Sequence, residues 1–254
     1  MIRIDDYLCK FGYCTSRTKA KQFIERGEVI LNGKRVERSS TKIDSSKEHN
    51  IQILAQKKFV SLGGFKLDKA LIDFNFDVKD FICADIGSST GGFTDCLLQN
   101  NAKKVYAVDL NDTLLDESLK NSDRVVEVVS NARLLTKDFF KEKIDLITAD
   151  LSFISAKMVM PIFSNLLDDG GFLLLLIKPQ FEIDKKVKFK SGIIKDKHIQ
   201  KNVCQKIYDC AINHSLIPLK LTTAPIYKDK NLEYLMLLKK SNESPIPFDI
   251  LHKF

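Results

Sequence analysis

The sequence lacks the features that a membrane-spanning, secreted or metal-thiolate protein would show. Its longest aliphatic run, Phe172 to Ile177, has six residues, whereas a helix needs about 20 apolar residues to span a bilayer. The first ten residues are too charged for a signal peptide. The six cysteines are scattered without a Cys-x-x-Cys pair, which argues against a zinc site or a disulfide framework. We therefore expect a cytoplasmic protein with reduced thiols and no bound metal.

Positive charge is concentrated in the first quarter of the chain. Residues 1–60 hold 13 Lys and Arg against 7 Asp and Glu, whereas the other 194 residues hold 27 against 26. A basic excess confined to one segment is typical of a surface that binds the phosphate backbone of a nucleic acid. Charge alone leaves the alternative open that this segment is an ordinary solvated surface.

The first sixty residues show the pattern of a small α+β domain. Apolar residues at helical spacing from Ile2 to Phe11 predict a first helix, and a second is predicted from Ser16 to Arg26. The pair Asn32-Gly33 predicts a hairpin turn, and residues 39–58 fit a last strand and a charged linker. Seven cations of this segment are candidate contacts to RNA phosphates: Arg3, Arg17, Lys19, Lys21, Arg26, Lys34 and Arg35.

Several of these residues also carry a resemblance to a known domain. Arg3-x-Asp5, Ser16-Arg17, Gly27-x-Val29 and Asn32-Gly33 follow one another in an order similar to that of the S4 (S-four) RNA-binding domain. The resemblance covers roughly residues 2–55 and implies an RNA-binding role. We accordingly expect an RNA-binding domain at 1–56, a linker at 57–62 and a larger domain at 63–254.

From Lys79 onward, short apolar strands alternate with helices. Strands are predicted at 81–85, 104–109, 144–149 and 171–177, and a helix at 202–214. This alternation predicts a doubly wound, Rossmann-like α/β sheet, in which a ligand binds at the carboxyl ends of the strands. The segment Gly87–Gly92, called the glycine turn below, follows the first of these strands and would let the backbone approach a ligand closely.

The residues around the glycine turn discriminate between two cofactors. Asp109 ends the second strand, where its carboxylate could accept hydrogen bonds from a ribose diol, as it would in a dinucleotide dehydrogenase. The strict Gly-x-Gly-x-x-Gly pattern is absent, however, and Asp85 lies just before the turn. A carboxylate there would repel a pyrophosphate and attract the ammonium group of a methionine. These two details favour S-adenosylmethionine.

Two charged residues at predicted strand ends are suited to a methyl transfer. Lys178 follows one apolar strand and Asp150 follows another, so both are expected at the same edge of the sheet. Because a ribose 2′-hydroxyl ionises far above neutral pH, a methylase must stabilise the oxyanion or remove its proton. Lysine can do either when its neighbours orient it. Taken alone, a lysine at a strand end is usually a solvated cap, and Asp150 could simply cap the segment around Ser152.

Longer motifs resemble those of a family of rRNA methyltransferases. Ser61-x-Gly63-Gly64-x-Lys66, Asp85 to Asp95, Ala149 to Phe153 and Ile177 to Glu182 look like the motifs of the TlyA family, in the same order. Members of that family are often labelled haemolysin A and are FtsJ-like methyltransferases with an N-terminal S4 domain. The resemblance implies S-adenosylmethionine as the cofactor. It implies as substrate the ribose 2′-oxygen of a cytidine in rRNA of assembled ribosomal subunits.

The same resemblance implies the site residues. A catalytic tetrad falls on Lys66, Asp150, Lys178 and Glu233, with Lys178 beside the target hydroxyl and the other three setting its charge state and holding the ribose. The implied cofactor contacts lie in and around the glycine turn and after the neighbouring strands: Asp85, Gly87, Ser88, Ser89, Gly91, Gly92, Phe93, Asp109, Asn131 and Asp150.

Two features bear on the choice of substrate. Leu62 stands where the family usually has Arg, so an RNA or linker contact of the family is expected to be missing or to be supplied by Lys57 or Lys58. The chain starts directly at its S4-like segment and ends soon after its last predicted strand, which resembles the branch associated with 23S rRNA. We therefore expect 23S modification, with 16S as the alternative.

Two other classes of function are weighed against the enzyme. A haemolysin would need a spanning helix or a membrane-active amphipathic segment, and neither is evident. A non-catalytic rRNA-binding assembly factor would have no chemical need for the four tetrad residues together. We expect an enzyme that works as a monomer without contact to a membrane.

Overall fold

The structure, a computed structural model, describes residues 1–14, 16–53, 58–112, 114–183, 192–227 and 229–251. The chain divides into two compact units, Met1–Lys58 and Phe59–Phe254. Residues 59–62, expected to be linker, are part of the second unit because Phe59 is buried and Ser61 caps a helix. Lys57, at the start of the expected linker, lies outside the described residues.

The first unit combines two helices with short strands. Its elements are β1 (Ile2–Arg3), α1 (Ile4–Lys10), α2 (Arg17–Glu25), β2 (Val29–Leu31), β3 (Lys34–Arg35), β4 (Lys42–Ile43) and β5 (Ile51–Ile53). β1 pairs with β4, and β2 lies between β3 and β5, all antiparallel. Asn32 and Gly33 both have positive φ, as the two-residue hairpin turn requires.

The first predicted helix differs from the structure at both ends. Ile2 belongs to a strand rather than to the helix, because it pairs with Ile43 of β4. Phe11 lies beyond the end of α1 with 48% of its surface exposed, whereas Ile4 and Leu8 are fully buried in the core of the unit. The second helix begins one residue after its prediction, because Ser16 caps it by accepting a hydrogen bond from the Lys19 amide.

The second unit contains the predicted α/β sheet. Its elements are α3 (Leu62–Phe74), β6 (Ile82–Ile86), α4 (Gly92–Gln99), β7 (Lys104–Asp109), α5 (Glu117–Lys120), β8 (Val125–Val129), β9 (Leu146–Ala149), α6 (Met160–Leu166), β10 (Phe172–Ile177), α7 (Pro179–Glu182), α8 (Lys197–Ile212), β11 (Leu216–Thr223), β12 (Tyr234–Lys240) and α9 (Phe248–Leu251). Within the described ranges, seven strands form one sheet in the order β11-β12-β10-β9-β6-β7-β8. The five strands from β10 to β8 are parallel, and β12 is antiparallel to both of its neighbours. The doubly wound fold is thereby confirmed.

Apolar side chains cover both faces of this sheet. Successive residues of a strand point to opposite faces, so Leu175 packs with Phe163 of α6 while Leu174 packs with the cluster that contains Leu97 of α4. A strand buried on both faces has no polar side to alternate with. This is why Phe172–Ile177 is an unbroken apolar run, although no described helix has the length and apolar character needed to cross a bilayer.

The strand order creates one edge where several chain connections meet. β6 lies between β7 and β9, so the connections on its two sides lead away in opposite directions and leave a crevice at the carboxyl ends. We call this the carboxyl edge. Gly87, Asp150 and Lys178 each follow a parallel strand there. Glu233 precedes β12, and because β12 runs antiparallel, its start lies at the same edge.

Candidate active site

Four charged side chains converge at the carboxyl edge and are called the tetrad: Lys66, Asp150, Lys178 and Glu233. Lys178 Nζ lies 2.5 Å from Asp150 Oδ1, and Lys66 Nζ lies 2.6 Å from Glu233 Oε2 and 3.9 Å from Asp150 Oδ2. Between 10% and 20% of each side chain is exposed. Partly buried charges are screened less by salt than surface charges. The alternation of the two cations with the two anions therefore stabilises the group as a whole.

Lys66 reaches the tetrad because α3 and α4 approach each other closely. Ser61 caps α3 by accepting a hydrogen bond from the Gly63 amide. A Cβ on Gly92 would lie 2.1 Å from Ser61 Oγ, and a Cβ on Gly64 would lie 2.3 Å from the Phe59 ring. Real side chains are never so close, so packing requires glycine at Gly64 of the Ser61–Lys66 motif and at Gly92, the end of the glycine turn.

The glycine turn lies directly against the chain that follows β9. Gly87 has a φ of +85°, and a Cβ there would lie 2.6 Å from the carbonyl oxygen of Asp150. The Gly87 and Ser88 amides donate hydrogen bonds to the carbonyl oxygen of Val108. These contacts hold the backbone of the turn open towards the crevice, with no side chain in the way.

Asp85 is not where the sequence analysis expects it. Its side chain is fully buried and lines neither cavity described below. Oδ2 accepts hydrogen bonds from the amide and hydroxyl of Thr94, and Oδ1 accepts one from the Thr148 hydroxyl. Burial raises the pKa of the Asp85 carboxyl to about 7, while these hydrogen bonds oppose the shift. Asp85 therefore fastens α4 to the sheet and has no direct path to a ligand.

Two adjoining cavities open at the carboxyl edge. The first, of about 680 Å³, is lined by the whole tetrad together with Ser88, Gly92 and Phe93 of the predicted cofactor set. The second, of about 520 Å³, is lined by Asp109 and Asn131. Gly87, Ser89, Asp150 and Ser152 border both cavities. Gly91 borders neither, and supports the turn from behind with a φ of +90°. Both volumes lie within the range of about 300–1,000 Å³ that is usual for small-molecule sites.

Asp109 and Asn131 are held by the local backbone. Asp109 Oδ2 accepts a hydrogen bond from the Ser89 amide at 2.9 Å, and Oδ1 accepts one from the Leu110 amide at 2.7 Å. Asn131 Oδ1 accepts a hydrogen bond from the Arg133 amide at 3.0 Å. Each carboxylate oxygen has further lone pairs, so Asp109 is oriented by these contacts and can still bind a diol.

The sequence analysis missed residues on the wall of the first cavity. Ser152 Oγ accepts a hydrogen bond from Lys178 Nζ at 2.8 Å. Its signal is present in the motif Ala149–Phe153, as a hydroxyl two residues after a tetrad member. Asn231 accepts a hydrogen bond from the Ile194 amide and donates one to the Gly192 carbonyl. No local pattern could reveal that contact, because its partners are far apart in the chain. Leu62 also borders this cavity, with 42% of its surface exposed.

The seven predicted RNA contacts of the first unit fall into two groups. Arg3 and Arg17 both bind Asp5, whose carboxylate is fully buried, and Arg26 pairs with Glu28. The hydrogen bond from Arg3 lowers the pKa of the Asp5 carboxyl. The other four cations make no ion pair with a described residue: Lys19, Lys21, Lys34 and Arg35. Across the described parts of both units, no three His, Cys, Asp or Glu side chains are grouped so as to hold a metal ion.

Comparison with known families agrees with this architecture. The model of the FtsJ-like methyltransferases matches residues 59–241, and that of the S4 domain matches residues 2–49. The two matches fall on the two units of the structure.

Individual relatives resemble both units together. A protein named Hemolysin A from Brachyspira hyodysenteriae is 40% identical, over 92% of this chain and 98% of that protein. The 16S/23S rRNA (cytidine-2′-O)-methyltransferase TlyA of Mycobacterium tuberculosis is 34% identical, over 78% of this chain and 74% of its own length. The solved structure of a protein described as a candidate haemolysin from Streptococcus thermophilus is 36% identical, with a TM-score of 0.74, covering 96% of this chain and 89% of that one. The chain is therefore a member of the FtsJ-like methyltransferase family and, within it, belongs with the TlyA and Hemolysin A proteins.

Proposed function

We propose that this protein transfers a methyl group from S-adenosylmethionine to the ribose 2′-oxygen of a cytidine in ribosomal RNA. The observation that carries the proposal is the tetrad. Each of its charged groups lies within 4 Å of an oppositely charged group, at the wall of a cavity that the glycine turn also lines. The FtsJ-like family and the relatives named above supply the reaction type.

The two cavities fit the methyl donor. The bare backbone at Gly87 leaves room that a Cβ would fill, and Asp109 presents a carboxylate to the second cavity, where a ribose diol would bind. Asn131 and the backbone beside it would face the base. The amino-acid part would then lie along the glycine turn, past Ser88, Ser89 and Gly92 towards Asp150. When bound, S-adenosylmethionine supplies an electrophilic methyl carbon on a positively charged sulfur.

Lys178 is the residue that would meet the target hydroxyl. Its side-chain nitrogen ends at the wall of the first cavity, where it pairs with Asp150 at 2.5 Å. From there the ammonium form would stabilise charge on the 2′-oxygen, or the neutral amine would take up the hydroxyl proton, as the new oxygen–carbon bond forms. Lys66 and Glu233 would hold Asp150 and the ribose in place from the opposite side.

The first unit would supply RNA affinity. Lys19, Lys21, Lys34 and Arg35 are cations without an ion-pair partner in the described chain, and they would contact phosphates. Arg3, Arg17 and Arg26 would take part while remaining tied to acidic neighbours. We further propose that the substrate is rRNA within a ribosomal subunit, with 23S preferred to 16S, and that the enzyme acts as a monomer in the cytoplasm.

The first experiment is methyl transfer from labelled S-adenosylmethionine to purified 30S and 50S subunits. Wild-type protein should label rRNA of one or both subunits, at a ribose 2′-oxygen. Lys178→Ala should reduce the rate by at least 1,000-fold, on the order of the loss of a group that acts directly on the reacting atoms. Lys79→Ala is the matched control, since Lys79 is exposed and precedes β6 at the opposite edge of the sheet.

The outcomes separate enzyme from binding factor. Label with wild type and with Lys79→Ala, but not with Lys178→Ala, supports the proposal and identifies the subunit. Cofactor binding without label on either subunit contradicts it and leaves an rRNA-binding assembly factor as the better account. Equal labelling by Lys178→Ala would exclude the proposed role of the tetrad while retaining the reaction.

A further inference from the structure

The Lys178 ammonium group has more contacts than its tetrad partner provides. An ammonium group has three N–H bonds and no lone pair, so it donates hydrogen bonds but accepts none. The nitrogen forms an ion pair with Asp150, 2.5 Å from Oδ1, and donates a hydrogen bond to Ser152 Oγ at 2.8 Å. The ring of Phe181 lies 5.8 Å from the nitrogen on another side. Among the described residues, Ser152 is the acceptor to which this ammonium group donates a hydrogen bond, because the pair with Asp150 Oδ1 does not have hydrogen-bond geometry.

The backbone directly after Ser152 has an unusual conformation. Phe153, the next residue, has a φ of +64°, in the left-handed region that non-glycine residues rarely adopt. Burial does not compensate for this strain, since 91% of Phe153 is exposed. Ser152 lies immediately before this residue, at the carboxyl edge, and borders both cavities.

We propose that Ser152 is a positioning residue that, together with Asp150, fixes the direction of the Lys178 side chain. The proposal rests on the proposed methyl transfer and adds a residue to it. The ion pair with Asp150 holds the nitrogen in place without fixing where its N–H bonds point, whereas the hydrogen bond to Ser152 gives one of them a defined direction. Ser152 touches neither the reacting oxygen nor the methyl group in this role.

The expected effect of removing the hydroxyl follows from the loss of one oriented hydrogen bond. Ser152→Ala should lower kcat roughly tenfold, as expected for one hydrogen bond to a charged group. The KM values for RNA and for S-adenosylmethionine should stay within about twofold, because the misdirected lysine affects the transition state more than binding. Ser152→Thr, which keeps the hydroxyl, should recover most of the rate. Ser122→Ala, at a half-buried serine after α5 that borders neither cavity, is the matched control.

The same experiment distinguishes Ser152 from a cofactor contact. If the loss in Ser152→Ala is confined to the KM or the Kd of S-adenosylmethionine, the hydroxyl binds the cofactor and the positioning role is wrong. A kcat equal to wild type also overturns it. Failure of the wild-type protein itself to methylate rRNA contradicts the proposed function and is visible before any variant is compared.

A second measurement needs no turnover. In protein labelled with ¹³C-lysine, the Cε relaxation of Lys178, assigned with Lys178→Arg, reports how firmly the side chain is held. The order parameter should fall in Ser152→Ala, return in Ser152→Thr and stay unchanged in Ser122→Ala. An unchanged order parameter in Ser152→Ala would mean that Asp150 is a sufficient anchor, and the proposal would then be rejected whether or not the substrate is known.

Discussion

The two units use charge in opposite ways. In the first unit the unpaired cations are distributed over α2 and the hairpin turn of β2 and β3. In the second unit four charges meet within contacts of 2.5 to 3.9 Å at the wall of a cavity. Exposed charges influence one another weakly and are screened by salt, whereas a partly buried group depends on each of its partners. The effects of single substitutions should therefore be additive in the first unit. In the second unit, substitution of one tetrad residue should already remove most of the contribution of the whole group.

The largest effect is expected in the second unit. Lys66→Met removes the cation between Glu233 and Asp150 and should slow methyl transfer roughly 100-fold, and Glu233→Gln should do nearly the same. The double variant should be little worse than the slower single variant, because both substitutions break one network. Single-turnover rates measure this. The control is Lys69→Met, one turn further along α3 and outside the cavity. If the rate losses of the two single variants multiply in the double variant, the tetrad does not act as a unit.

The first unit contains one place where charges also converge, and it should behave like the tetrad. Asp5 is fully buried and binds both Arg3 and Arg17. Asp5→Ala should destabilise this unit by about 2 kcal/mol, the contribution typical of hydrogen bonds to a charged group. Amide hydrogen exchange in α1 and α2 measures the change, with Glu37→Ala, at an exposed position of the same unit, as control. Exchange in Asp5→Ala as slow as in wild type would contradict the prediction.

The effect of Asp5 should depend on pH in a defined direction. The Arg3 hydrogen bond lowers the pKa of the Asp5 carboxyl in the folded state. The contribution of Asp5 to the free energy of unfolding is therefore complete above the pKa of an ordinary Asp. It is lost as the pH falls through the lower pKa that Asp5 has in the folded state. Wild type and Asp5→Ala should accordingly converge in stability in strong acid and differ most near neutral pH.

A smaller effect is expected for each unpaired cation of the first unit. Lys19→Ala, Lys21→Ala, Lys34→Ala and Arg35→Ala should each weaken RNA binding only a few-fold, and the losses should add. The slope of log affinity against log salt should fall by about 0.7–0.9 for each phosphate contact removed. Titration of rRNA at several salt concentrations measures both quantities. Lys47→Ala, whose lysine pairs with Asp44, is the control, and an unchanged salt slope in the multiple variant would place the RNA contact elsewhere.

The smallest effect should come from the buried carboxyl that the sequence analysis assigned to the cofactor. In Asp85→Asn the amide oxygen can accept the two Thr94 hydrogen bonds and the amide nitrogen can donate to Thr148. Cofactor affinity should stay within about twofold, since Asp85 lines neither cavity. If calorimetry shows that cofactor affinity falls by more than about tenfold, the direct contact between Asp85 and the cofactor that the sequence predicts would be supported.

The pH dependence of Asp85 is opposite in sign to that of Asp5. Burial raises its pKa to about 7, so the folded state holds the proton more tightly than the unfolded chain does. The contribution of this group to the free energy of unfolding falls as the pH rises from about 4 through 7. The Tm of wild type should therefore decline relative to that of Asp85→Asn between pH 5 and pH 8, with Asp123→Asn, at an exposed position, as the control.

The elements with a strong local pattern could be predicted closely. The strand Lys104–Asp109 is where the sequence places it, and the turn at Asn32-Gly33 has the positive φ values that its residues favour. Tetrad members that follow a parallel strand could be placed at one edge, because all such strands end there. The prediction of Glu233 depended on family resemblance, because an apolar run does not show that β12 is antiparallel.

Asp85 shows why the remainder of the site could not be predicted. Its distance from the glycine turn suggests a ligand contact, but the direction of a strand side chain and the identity of its neighbours depend on distant residues. Thr148 lies 63 positions further along the chain and Thr94 lies on α4. Ser152 is a parallel case, because its hydrogen bond to Lys178 exists only once β9 and β10 are adjacent.

The amino-acid sequence by itself indicated the four tetrad residues through resemblance to a family, and its local features determined the α/β class, the position of the glycine turn and the basic first segment. Spacing and composition carry this information, because strand periodicity, turn chemistry and net charge are local properties. Tertiary structure alone decided which carboxylate faces the cavity, which arginines are engaged within the first unit and which hydroxyl holds Lys178. These depend on contacts between residues far apart in the chain, and such contacts arise only when packing brings separate strands and helices together.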